Sequence, residues 1–74
     1  MAKSTINIQD NLLNQVRAKK IPVTIFLTSG FQMNGNVEFF DGFTILLNVN
    51  GRQQLVYKHA ISTIIPRNKF QVNL

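Results

Sequence analysis

The sequence predicts a mostly β domain, in which one N-terminal helix is followed by five short, strongly bent strands forming a small open barrel. Three observations lead there. Apolar residues recur at helical spacing only near the start of the chain. They then alternate with polar residues through most of the remainder, and Ser-Gly, Asp-Gly and Asn-Gly steps interrupt that alternation at short intervals. Short strands broken by such turns fit a small barrel.

The helix comes first. Ile8, Leu12, Leu13 and Val16 fall on one helical face, so residues 8 to about 19 read as one amphipathic helix. Asn7 is placed to cap it, with Asp10 three residues on in a capping-box-like position. Arg17, Lys19 and Lys20 suit the negative end of the helix dipole, and Pro22 stops the helix.

Strands make up the rest. In Pro22 to Thr28, Val23, Ile25 and Leu27 alternate with Thr24, Phe26 and Thr28, and Ser29-Gly30 marks a turn. From Phe31 to Phe40, the residues Phe31, Met33, Val37 and Phe39 take the apolar side, with Gln32, Asn34, Asn36 and Glu38 opposite. Gly35 lies on the apolar side without a side chain, which predicts a sharp bend or a close backbone approach. Asp41-Gly42 signals a hairpin, Thr44 to Leu47 the third strand and Asn50-Gly51 a second hairpin. Gln53 to Tyr57 is the fourth strand. After the short connection Lys58-His59-Ala60 comes a fifth strand, Ile61 to Ile65, ended by Pro66. Residues 1–7 read as an N-terminal tail, 8–66 as the domain and 67–74 as a C-terminal tail too short for any function that needs a long disordered one.

Stability and assembly are linked by size. A single domain of 74 residues buries only about 60% of its unfolded surface and usually needs a staple. The chain has no cysteine, so disulfides and thiolate metal sites are excluded, and one histidine, His59, cannot build a zinc site alone. Oligomerisation is the staple that remains. Leu55-Val56-Tyr57 and Ile61 to Ile65 carry apolar residues on both faces, with no charge or proline inside either run. Edges of that kind invite pairing with another chain, and closure into a ring removes every free edge. A barrel closed within one subunit is the alternative.

Charge points to the partner. Eight Lys+Arg against three Asp+Glu give a net charge of +5, which draws polyanions. The basic residues are scattered apart from one cluster at Arg17 to Lys20, so charge alone does not choose among DNA, RNA and acidic membrane. The N-terminus lacks the apolar run of a signal peptide, and no stretch approaches the ~20 apolar residues of a membrane span. A cytosolic protein with no membrane partner is expected.

Catalytic patterns are weak. Gly30 and Gly35 have phosphate-loop spacing, but Asn36 stands where the lysine is required and no helix comes after it. Asp10, Glu38 and Asp41 form no metal cluster in sequence, and His59 with Ser62 lacks a third, orienting acid. A binding protein without metal or cofactor is expected, not an enzyme.

One set of residues carries a specific resemblance. Asn7-Ile8-Gln9-Asp10 with Leu12-Leu13-Asn14, then Val23 to Leu27, Gly30-Phe31-Gln32-Met33 and Gly35, then Asp41, Phe43 and Ile45-Leu46-Leu47, precede the run Tyr57-Lys58-His59-Ala60-Ile61-Ser62-Thr63. In this order and spacing the chain resembles the Hfq family of bacterial Sm-like proteins, and Phe26 with Gly-Phe-Gln-Met is most similar to its Gram-positive branch. The likeness covers roughly residues 5 to 66, and the Tyr-Lys-His-Ala-Ile-Ser-Thr run is highly specific.

The resemblance implies an Sm-like barrel assembling into a homohexameric ring. Such a ring binds single-stranded RNA, U-rich on a proximal face and A-rich on a distal face, and promotes pairing of small RNAs with messengers in post-transcriptional regulation. Gln9, Gly42, Phe43, Tyr57, Lys58 and His59 would form the proximal site, with Phe43 stacking a base, Lys58 reading its carbonyl edge and His59 touching phosphate or ribose. Tyr57 is open between base contact and intersubunit packing. Phe26, Gly30, Phe31, Met33, Asn34, Gln54 and Thr63 would form the distal site. Phe26 falls on the polar side of its strand as an exposed ring, whereas Phe31 and Met33 compete with a plain core role. Asn14, Arg17, Lys19 and Lys20 would form the rim.

Stacking on aromatics in a basic groove supports this reading independently, at ~1–3 kcal/mol per base. The chain also departs from the family pattern. Gly42 stands where many relatives carry a polar side chain, Asn34 replaces a glutamine, and Arg17-Ala18-Lys19-Lys20 is poorer in arginine than the rim of enteric relatives. Two other readings stay open: a basic DNA-compacting protein, with weak DNA binding a lesser form of it, and an Sm-like scaffold without chaperone activity. Phe26 and Phe43 favour bases over a duplex, whose base faces are hidden.

Overall fold

The computed structural model describes residues 8–67. Helix α1, Ile8–Ala18, precedes strands β1 (Val23–Leu27), β2 (Gln32–Phe40), β3 (Thr44–Val49), β4 (Arg52–Tyr57) and β5 (Ile61–Pro66), with a single 3-10 turn at Lys58–Ala60. The expected order of elements is therefore present, with ends shifted by one or two residues. Asn7, expected as the cap, lies outside the described residues.

The helix ends by a local device more than by Pro22. Lys20 takes a left-handed conformation at φ 55. This lets Ile21 N–H donate to the Val16 carbonyl at 2.9 Å and Lys20 N–H to that of Arg17 at 3.3 Å. This pair of bonds is a Schellman closure, usually built on glycine. Leu13 and Val16 are the buried face of α1.

All five strands are antiparallel, in the order β4-β3-β2-β1-β5. The sheet is open, with β4 and β5 as its two edges, so the barrel does not close within one subunit. Both edges run slightly longer than the sequence suggests and carry Arg52 and Pro66 only at their ends. Val23, Ile25, Met33, Val37, Ile45, Leu47 and Val56 fill the concave side beneath α1. Burying such side chains contributes ~1.5–3 kcal/mol each.

Two irregularities in β2 bend the sheet, and a further register shift lies between Phe26 and Leu27 where β1 meets β5. Gly35 lies so near β3 that an added Cβ would collide with the Asn48 carbonyl oxygen, the close approach that its place in the sequence predicts. Three residues later the register slips: Val37 pairs with Leu47, yet Phe39 pairs with Leu46, leaving Glu38 as an extra residue. A bulge of this kind reverses the facing of the residues after it. Phe39, expected inside, is instead 63% exposed, while Phe40 packs against the core.

The turns differ in mechanism. Asn50 and Gly51 both have positive φ (54 and 84), the two-residue hairpin form that matches strand twist. Asp41-Gly42 is a hairpin of another sort, since Gly42 does not need positive φ. Instead Asp41 Oδ1 accepts from Phe43 N–H (2.8 Å), Thr44 N–H (2.7 Å) and Thr44 Oγ1–H (2.8 Å).

Candidate RNA-binding surfaces

The first surface is built where the β2–β3 hairpin meets the turn after β4. Phe43 lies between two backbone anchors: its N–H donates to Asp41, and its carbonyl accepts Lys58 N–H at 2.8 Å. With its backbone held, the residue is 79% exposed. The Phe43 N–H bond, then the two Thr44 bonds, hold the Asp41 carboxyl below its ordinary value of 3.8, with a smaller contribution from Lys58. Tyr57 and His59 stand nearby, their ring centroids 5.7 Å apart at 30°, both exposed. Gly42 is exposed with open space around it, so the surface has no side chain there.

Lys58 sits differently from what its proximity to Phe43 suggests. Its ammonium pairs with Asp10 on α1 at 2.5 Å and lies 5.3 Å from the Phe40 ring centroid, leaving its side chain 10% exposed. Asp10 thus joins the site across 48 residues of sequence, a pairing without a local signal. Gln9 lines a separate groove of about 330 Å³ with Leu12, Ile61 and Thr63. Phe43 does not line that groove.

The second surface draws on β1, β2 and β5, with Gln54 from β4. Phe26 pairs with Gln32 on one side and Thr63 on the other, so three of these strands bring a ring and two hydrogen-bonding groups together. Phe26 is half-buried, not the exposed ring expected from the polar side of its strand. Phe31 and Met33, alike in sequence, separate here: Met33 belongs to the core and Phe31 is 65% exposed. Phe31, Met33, Asn34 and Gln54 line one groove of about 470 Å³. Thr24 Oγ1 donates to Asn34 Oδ1 at 2.7 Å. Gly30, at φ 93, closes the turn by donating its N–H to the Leu27 carbonyl.

The third surface gathers part of the basic cluster. Arg17 and Lys20 line a groove of about 650 Å³ with Asn36, Glu38 and Phe39. Arg17 donates to Asn14 Oδ1 at 3.1 Å and sits 5.9 Å from the Phe40 centroid. Asn14 and Lys19 are exposed but do not line this groove. Glu38 accepts from Asn48 (2.8 Å) and Gln53 (2.7 Å) amides, which hold its carboxyl below the ordinary value of 4.5. Sequence reasoning misses Phe39 as a surface ring. The available signal is the Phe39-Phe40 pair, since two adjacent residues of a strand cannot both face one core.

Among the described residues no group of His, Asp and Glu is gathered to hold a metal, and no helix is long and apolar enough to cross a membrane.

A helix-topped, open five-stranded barrel bearing these ring-and-amide surfaces is of the Sm-like class. A family model described as "Hfq protein" matches residues 8–71, and the chain belongs to the Hfq family. It is 62% identical over 66 residues to a protein of Natranaerobius thermophilus named RNA-binding protein Hfq, covering 89% of this chain and 79% of that one. A protein of the same name from Ruminiclostridium cellulolyticum is 64% identical over 66 residues, with 89% and 82% covered. A crystal structure of the pleiotropic translational regulator Hfq superposes with a TM-score of 0.77 at 47% identity, covering 80% of this chain and 98% of that chain.

Proposed function

We propose that this protein is a cytoplasmic, non-catalytic RNA chaperone that binds single-stranded RNA as a homohexameric ring and promotes pairing of small RNAs with messengers. Family membership and the relatives' names support RNA as the partner. The observation that carries the reading is Phe43: a large apolar ring, mostly exposed, on a backbone held from both sides. Folding alone gains little from that arrangement, whereas a base stacking on it gains ~1–3 kcal/mol without ordering cost in the loop.

Uridine-rich RNA fits the surface of Phe43, Tyr57 and His59. Lys58 can still donate from its ammonium, which has three N–H groups, and Gln9 would come from a neighbouring subunit. Adenine-rich RNA fits the Phe26, Phe31, Asn34, Gln54 and Thr63 surface. Arg17 and Lys20 at the rim would attract a second strand by charge, and Phe39 offers that rim an additional ring.

Ring assembly has its own support. On the outer face Phe39, Leu46 and Leu55 align across β2, β3 and β4, and Leu55 on the edge strand is exposed, as is Ile65 on the other edge. Joining β4 of one copy to β5 of the next covers these side chains and satisfies both edges.

The test is a competition among oligo(U), oligo(A) and duplex DNA for the purified protein, read by fluorescence anisotropy, with its mass measured by native mass spectrometry. Preference for both single strands by a hexamer is expected, with duplex DNA bound weakly. Equal affinity for duplex DNA would support a DNA-compacting role instead, and a stable folded monomer would refute the ring.

A further inference from the structure

Three grooves share residues end to end. Asn34 and Asn50 line both the Phe31–Gln54 groove and a middle one of about 390 Å³. Asn36 lines both that middle groove and the Arg17–Phe39 groove. Together they run along β2 from Gln32 to Phe39, ~23 Å at 3.3 Å per residue.

The middle groove has a chemistry of its own. Asparagines from β2 and from the β3–β4 hairpin line it with Arg67, and no carboxylate does. Asn48 is committed to the fold, donating to Glu38 and accepting Gly51 N–H at 2.9 Å. The others are not. Asn34 uses its carbonyl oxygen on Thr24, and Asn36 donates one N–H to the Lys20 carbonyl at 3.4 Å. Among the described residues, the Asn34 amide donors, the Asn50 side chain and the Arg67 guanidinium have no partner, while the Arg67 backbone N–H is anchored to the Pro22 carbonyl at 3.0 Å. Amide donors beside an unpaired guanidinium suit phosphate and ribose oxygens, and read no base in particular. In the neighbouring Arg17–Phe39 groove the lining carboxylate is Glu38, whose two oxygens are already occupied by amides.

We propose that Asn34, Asn36, Asn50 and Arg67 form a backbone-binding cradle that carries one RNA strand from the Phe31–Gln54 groove over to the rim. The two surfaces are then parts of one track, and a strand anchored by its adenines is delivered directly to Arg17, Lys20 and Phe39. This rests on the RNA-binding function proposed for the chain and adds a connection to it.

The experiment compares an oligo(A) of about six nucleotides, within the usual footprint of a small barrel, with the same oligomer extended at either end by about six nucleotides of mixed sequence. Wild type, Arg67→Ala and Asn50→Asp are measured by anisotropy across a salt series, after native mass spectrometry shows equal assembly. Asp tolerates the left-handed backbone of Asn50. The extension is expected to tighten binding to wild type about tenfold, the worth of a charge-assisted hydrogen bond or two. Both variants should lose most of that gain, and Arg67→Ala, whose residue lines the middle groove and not the Phe31–Gln54 groove, should bind the unextended strand as wild type does. Arg67→Ala should also flatten the salt dependence of the extended strand, since each phosphate contact contributes a slope of about 0.7. No gain from extension in wild type, a gain that persists in both variants, or equal weakening of the short strand by Arg67→Ala would each overturn the cradle. Failure of wild type to bind even the short strand would overturn the RNA reading itself.

Discussion

Lys58 N–H donates to the Phe43 carbonyl at 2.8 Å, tying the turn after β4 to the hairpin between β2 and β3. The bond makes Phe43 a fixed platform, with its ring pointing to solvent beside Tyr57 and His59. Phe43→Ala should therefore weaken oligo(U) by ~1–3 kcal/mol per occupied pocket. Thermal stability should hardly change, because an exposed ring contributes little to the core. Titration of oligo(U) and oligo(A), with a melting curve alongside, measures both; equal loss of the two RNAs would make Phe43 a structural residue.

The same hairpin gives a pH dependence with a definite sign. The Asp41 carboxyl lies below its ordinary value of 3.8 in the folded protein, chiefly through the Phe43 N–H bond. Its contribution is therefore complete above 3.8 and is lost as pH falls through the lower, native value. Asp41→Asn should be less stable than wild type at neutral pH, and the gap should narrow on acidification below that point. Urea unfolding over a pH series tests this, and a constant gap would contradict it.

Phe26 is expected to separate the two faces. It lies opposite the side of β1 that carries the buried Val23 and Ile25, between Gln32 and Thr63. Phe26→Ala should reduce oligo(A) affinity while leaving oligo(U) nearly intact. Because tethered bases bind at high effective concentration, the loss should be greater for long adenine tracts than for short ones. Anisotropy on variants of equal assembled mass decides it, and unchanged oligo(A) binding would exclude Phe26 from the surface.

Gly35 has no latitude. A Cβ would overlap the Asn48 carbonyl oxygen, a backbone atom in a paired strand. Gly35→Ala should cost about 3 kcal/mol or prevent folding, at the upper end of overpacking effects. Circular dichroism and thermal melting would show it; a variant as stable as wild type would mean that β2 and β3 can separate there freely.

Lys20 trades stability for charge. Its left-handed backbone suits glycine better, so Lys20→Gly should raise stability by roughly 0.5–1 kcal/mol. The same change removes a cation from the Arg17–Phe39 groove. Annealing of two complementary RNAs should slow even as the melting temperature rises. If neither quantity moves, the lysine has no role in the groove.

The family, the strand count and the aromatic Phe43 are legible in the sequence because they depend on local matters: a residue run, alternation with period two, and turn residues. Gly35 can be read the same way, since a missing side chain on an apolar face has few explanations. Facing after a register change cannot be read. Alternation places Phe39 in the core, but alternation holds only while both strands advance together, and β3 supplies no partner for Glu38. Phe31 and Met33 also look equivalent in sequence, and only their places in the fold separate them: Phe31 lies just before β2 and is exposed, whereas Met33 lies within it and is buried.

Long-range pairings are equally invisible. Nothing near Lys58 in sequence announces Asp10, and nothing near Asn36 announces Arg67, because the tertiary fold alone brings them together. The sequence by itself determined the elements and the chemistry available to them, since propensity and periodicity act over a few residues. Tertiary structure decided which cations stay free and which rings face solvent, because burial and charge pairing depend on neighbours that the chain meets only after it has folded.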